Sequence, residues 1–125
     1  MDKAMDVKFD ELPWHDTELL SVNIDRKNPG KCDEVSLKIR WPNGERSTLV
    51  FTDCYGFEAD MNFGIVAEES ILDASVSDED DRLSQIRSDW RKGGVDLSNL
   101  KLFEIEMNSS GSLLKIFSLG FNAKN

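Results

Sequence analysis

From residue 18 to residue 25 the chain alternates, with Glu18, Leu20, Val22 and Ile24 on one parity and Leu19, Ser21, Asn23 and Asp25 on the other. A period of two predicts a β-strand, and Asn28-Pro29-Gly30 supplies the turn that ends it. The next run is cleaner: Val35, Leu37, Ile39 and Trp41 share one face, with Ser36, Lys38 and Arg40 on the other. Pro42-Asn43-Gly44 stops this second strand, because proline presets φ for a tight turn and glycine supplies a left-handed residue. If Trp41 pairs with Glu45, the hairpin register sets Leu37 opposite Leu49, Val35 opposite Phe51 and Cys32 opposite Cys54. A third strand then runs from Ser47 to Tyr55. Its odd-numbered alternation continues through Phe57, Ala59, Met61 and Phe63, which predicts a bend or bulge at Gly56. A short fourth strand covers Ser70 to Val76.

One helix is signed near residues 78–92. Ser77 can cap it, the acidic run Asp78 to Asp81 suits its positive end, and Arg91 and Lys92 suit its negative end before Gly93 and Gly94. Leu83, Ile86 and Trp90 give it one narrow apolar stripe. A last hairpin has arms 100–107 and 113–121 around Asn108-Ser109-Ser110-Gly111-Ser112; both arms are apolar on both faces, which predicts central strands. The expectation is an α+β single domain over residues 1–125, with residues 1–10 frayed. It has a twisted antiparallel sheet of about five to seven strands and one main helix across a face. The expected core holds Leu20, Val22, Leu37, Ile39, Leu49, Phe51, Leu83, Ile86, Trp90 and Ile105.

Composition narrows the function. With 39% hydrophobic and 31% charged residues the chain can bury a core without disulfide or metal staples. Twenty-four acidic against fifteen basic residues give a net charge of −9, which repels phosphate backbones and anionic membranes and favours a basic protein as partner. Nucleic acid and membrane are therefore not expected as ligands, and oligomeric state is not readable. The N-terminus Met1-Asp2-Lys3-Ala4-Met5-Asp6 lacks the apolar stretch of a signal peptide, so the reading is cytoplasmic. Two cysteines are too few for a secreted disulfide framework, and reduced thiols are the default.

The candidate chemistry is sparse. Pro13-Trp14-His15-Asp16 sets the single histidine beside a carboxylate just before the first strand, where a base or metal ligand can sit. Zinc held by His15, Cys32 and Cys54 is opposed by the hairpin, which puts the histidine and the cysteines at opposite ends. His15 reads more simply as a surface or capping side chain, and Trp14 as a lid on the core. No nucleophile elbow precedes a helix. Asp53, Asp60 and Glu104, around a pocket rimmed by Tyr55 and Trp14, are the carboxylates that an enzyme or a small-ligand site would use. No cofactor and no metal are implied.

Taken together, Leu12-Pro13-Trp14-His15-Asp16, Phe51-Thr52-Asp53-Cys54-Tyr55 and the run from Met61 to Ile71 resemble a group of small uncharacterised bacterial proteins, over most of the chain. That resemblance brings no activity or site residues. In size, acidity and an early His-Asp before a meander of strands, the chain is more loosely similar to immunity proteins of bacterial toxin systems. The expected function is a non-enzymatic binding module, in the immunity-like form one that neutralises a basic toxin through its acidic surface. Its candidate binding residues are Trp14, His15, Asp16, Asp53, Tyr55, Asp60 and Glu104. The alternative is a small carboxylate enzyme or ligand-binding domain.

Overall fold

A computed structural model describes residues 8–124, the Cys32 side chain excepted. The chain forms strands β1 (Glu18–Asn28), β2 (Cys32–Arg40), β3 (Arg46–Asp60), β4 (Ile71–Ser77), β5 (Lys101–Met107) and β6 (Leu113–Lys124), with one helix, α1 (Asp81–Lys92). The six strands make one antiparallel sheet in the order β1-β2-β3-β6-β5-β4, an α+β architecture with both arms of the last hairpin inside the sheet.

The β2–β3 hairpin has the register that its turn dictates. Val35 pairs with Phe51, Leu37 with Leu49 and Ile39 with Ser47, while the Trp41 amide donates to the Glu45 carbonyl across the turn at 2.8 Å. β3 then continues along β6 to Asp60 with a register shift between Cys54 and Gly56, the irregularity foreseen at that glycine. Here α1 lies so close to the sheet that a Cβ on Gly56 would come within 3.1 Å of the Phe117 side chain and 3.2 Å of Ile86. The Asp80 carboxylate, rather than Ser77, caps α1 by accepting the Leu83 amide at 3.1 Å. Ser77 is spent one turn earlier, where its hydroxyl accepts the Glu79 amide.

The sheet buries both faces. Leu83 and Ile86 of α1, with Leu97, Leu100, Leu102 and Phe117, form the cluster under the helix. Trp90 departs from expectation: it stays 44% exposed, because the buried stripe of α1 consists of Leu83 and Ile86, and its ring meets Tyr55 edge-on at a centroid distance of 5.0 Å. The other face holds the larger core, with Val35, Leu37, Ile39, Leu49, Phe51, Ile105, Leu114 and Ile116.

Residues 1–7 of the N-terminal segment expected to fray lie outside the described residues, but the part that follows is anchored. Phe9, in a single 3-10 turn (Phe9–Glu11), is 2% exposed and has its ring within 6.0 Å of those of Trp14, Phe51, Phe103 and Phe121. Behind it the chain stitches the two ends of the sheet together. The Ile71 amide donates to the Thr17 carbonyl at 2.7 Å, the Asp16 amide to the Ile71 carbonyl at 3.0 Å, and the Leu19 amide to the Glu69 carbonyl at 2.8 Å. The sheet is thus curled so that β1 meets the start of β4.

Leu20 and Val22, expected in the core, are 40% and 37% exposed. A bulge between Leu19 and Ser21 shifts the β1–β2 register, so that Leu19 takes the place opposite Ile39 and is buried instead. Val22 and Ile24 still pair with Leu37 and Val35. They share the apolar face, but no element covers them there.

Phe9→Ala is expected to cost about 3–5 kcal/mol in denaturant unfolding, whereas Val22→Ala should stay below about 1 kcal/mol. A Phe9→Ala protein that melts like the parent would remove the N-terminal turn from the core.

Candidate functional site

Beside β1 two hollows open and meet at Phe57. The first, of about 370 Å³, lies between Leu20 and Val22 of β1 and Ala59, Met61 and Phe63 beyond the bend of β3, with Leu19 and Leu114 as floor. The second, of about 580 Å³, runs on from Ile24 and Arg26 of β1 past Asp33 and Asp53 to Tyr55 and Trp90. Together they form one groove along β1, apolar at the Phe63 end and mixed at the other, where Arg26, Lys31, Asp33, Glu34 and Asp53 join the lining.

The second hollow exists because β2 and β3 part company. Their ladder ends at Val35 and Phe51, and two residues later Asp53 adopts φ +51°, a left-handed conformation that strains a residue with a Cβ. Cys54 closes the end of the ladder: its thiol donates to the Phe51 carbonyl at 3.2 Å and is approached by the Val35 amide. Burial pushes this thiol up from 9.0 to about 11, against the smaller opposing pull of that amide. The pairing of Cys32 with Cys54 foreseen from the hairpin does not form in the ladder: β2 and β3 separate after Val35 and Phe51, Cys32 pairs with Asn28 and Cys54 with Ser118, and the Cys32 side chain lies outside the described residues. On the far wall Asp33 fixes the tip of the β1–β2 hairpin, accepting from the Gly30 amide at 2.9 Å and from Arg26 Nε at 2.6 Å. The Gly30 amide, with help from Arg26, holds the Asp33 carboxyl below its usual range.

The other end of the groove is flanked by the connection between β3 and β4, residues 61–70. It carries Phe63 at 86% exposure, Ile65 at 51% and a fully exposed Val66. This loop is pinned at its base. Asn62 donates its amide to the Ser112 hydroxyl and its side chain to the Ser110 carbonyl, Ser110 donates to Glu69 at 2.8 Å, and Ser109 to the Glu68 carbonyl at 2.7 Å. The serine-rich turn between β5 and β6 therefore serves as a clamp that presents the apolar loop.

Of the residues singled out from the sequence, Asp53 and Tyr55 line the groove. Trp14 does not: it is 4% exposed, donates its indole N–H to the Phe9 carbonyl at 2.6 Å and packs 5.5 Å from Trp41. His15 and Asp16 sit at the surface beside the closure, with His15 Nδ1 3.2 Å from the Leu72 carbonyl. Asp60 ends β3 opposite Leu113, and Glu104 lies on β5 between Ser75 and Lys115. In place of the pocket foreseen between Tyr55 and Trp14 there is a groove that the touching rings of Tyr55 and Trp90 line at one end, and of the three carboxylates Asp53 alone lines it. Among the described residues no three His, Cys, Asp or Glu side chains are grouped to hold a metal ion, and no helix is long and apolar enough to cross a membrane.

Sequence reasoning passed over Arg26, Phe63 and the exposed role of Trp90. A signal for Phe63 was present: the odd-numbered alternation overran any ordinary strand length and ended in Phe63-Gly64-Ile65-Val66 amid polar residues. The chain matched none of the protein-family models and no curated protein.

The Cys54 thiol makes a pH prediction. Its folded value is raised, so the stabilisation is fully present below pH 9, where folded and unfolded thiols are both protonated. It is lost as pH rises from 9.0 towards about 11, where the unfolded thiol ionises first. Unfolding curves across that window should fall more steeply for the parent than for Cys54→Ala. Equal slopes would show the thiol is not desolvated.

Proposed function

We propose that this protein is a non-enzymatic binding module, which holds a basic protein partner against the groove beside β1. The observation that carries the reading is the grouping of exposed large apolar side chains there. Leu20, Val22, Ile24, Phe63 and Trp90 all line the groove while between 37% and 86% exposed. Scattered exposed apolar residues need no explanation, but a contiguous set with a concave floor marks a docking site.

The charge at the groove supports a basic partner. Arg26 is already paired with Asp33, and of the remaining charged side chains that line the second hollow, Glu34, Asp53 and Lys31, none has an ion-pair partner among the described residues, which leaves a balance of one negative charge there. With a net charge of −9 over the whole chain, the long-range field attracts a cationic surface and speeds encounter. A basic toxin neutralised by an immunity protein is the form of this reading that the looser resemblance favours.

Association with a partner captured from the native host at low salt and identified by cross-linking should slow at least about tenfold as salt rises from about 0.05 to 0.5 M. Trp90→Ala and Phe63→Ala should each speed dissociation, by about 2 kcal/mol if they are central anchors. Substrate turnover abolished by Asp53→Asn, or a partner whose binding ignores salt and both substitutions, would overturn the reading.

A further inference from the structure

The state of β1 suggests how the groove is filled. Its ladder is with β2 alone, and among the described residues its other edge meets a neighbour at Glu18, through a single bridge to Ser70. Beyond that bridge, Ser21 to Ile24 are exposed, with backbone donors and acceptors along one edge and Val22 and Ile24 on the apolar face. Folded proteins protect such edges with charge, proline, bulges or a covering element. Here the bulge sits before Ser21 and the cations Arg26 and Lys27 come after Ile24, so the stretch between them carries no protection of its own.

We propose that an extended segment of the basic partner adds to this edge of β1 as a seventh strand. The proposal rests on the binding-module reading and specifies the segment: apolar residues alternating with lysine or arginine. A strand beside β1 turns every second side chain towards the sheet's apolar face, over the hollow between Val22 and Phe63. The intervening side chains point away from that face. On that outward side Asp25 shares the parity of Asn23, opposite to Val22 and Ile24, and Glu68 in the loop is 73% exposed, with its carboxylate 3.7 Å from Arg40. Lysine or arginine on such a segment would meet them.

The test uses a peptide of about ten residues alternating valine and lysine, and the same peptide N-methylated at every backbone amide. The first should slow hydrogen exchange at alternate β1 amides between residues 21 and 26 at least about tenfold, and the methylated peptide should not. The double substitution Val22→Lys, Ile24→Lys, confirmed as folded by its melting curve, should abolish that protection. Four results would overturn strand addition. Two of them leave the binding-module reading standing: both peptides perturbing Trp90 with equal affinity, and a native partner that binds the groove without protecting β1. The third is failure of the unmethylated peptide to bind. The fourth is a protein that doubles its mass and protects β1 by itself as its concentration rises, which assigns the edge to a second copy.

Discussion

The backbone exchange between residues 16–19 and 69–71 is the constraint on which the rest of the molecule depends. An antiparallel sheet of six strands has two edges and two faces, and the described residues include one α-helix with which to cover them. Joining Thr17 to Ile71 and Leu19 to Glu69 curls the sheet, so that one face becomes an interior. Phe9 can then fill that interior among four other aromatic rings, without a second helix. The closure acts at one end of β1. Past Leu19 the outer edge of the strand has no ladder among the described residues, and its own apolar side chains Leu20, Val22 and Ile24 stay exposed while those of β2 and β3 beside them are buried.

The groove is therefore a product of incomplete closure, walled at one end by the loop that carries Met61 and Phe63. Its walls are fixed by small local devices: a left-handed Asp53, a thiol seated at the end of a ladder, and an aspartate that clasps the hairpin tip. Such devices keep a site concave in the absence of an occupant, which lowers the ordering entropy that binding must overcome. In the proposed binding role, acidity and hydrophobicity would act on the same surface in sequence, the first at a distance and the second on contact, because the exposed apolar side chains are held by strands and a pinned loop.

Much of the fold was legible because its signals are local. The register of β2 on β3 follows from one turn, the kink of β3 from one glycine, and the central place of β5 and β6 from apolar residues on both faces. What escaped was non-local. The alternation of Leu20, Val22 and Ile24 correctly marks an apolar face, but whether that face is covered depends on where residues 61–70 and α1 come to lie. Trp90 continues the stripe of Leu83 and Ile86, yet it reaches past the surface that those residues bury. Of the candidate residues, Asp53 and Tyr55 line the groove. Trp14 proved to be a lid on the core, as its bland reading had it, and Phe63 was taken for one more strand residue. Phe9 was lost for a different reason: a single aromatic among polar residues has no period to betray it.

The strand order carries one more consequence. Read along the sheet, it divides the molecule into two meanders, β1-β2-β3 and β4-β5-β6, set back to back along the seam between β3 and β6. Within each half every strand pairs with its neighbour in sequence, and in the second half α1 is carried as the crossing between β4 and β5. The halves are thus natural cooperative units, with the entropic cost of distant pairing concentrated at the seam and at the small closure. β1 stands at the outer margin of its half, farthest from the seam. Its start is held by the closure, but the stretch from Ser21 to Asp25 can gain a neighbour on its outer edge while both the closure and the zipper between the halves stay shut.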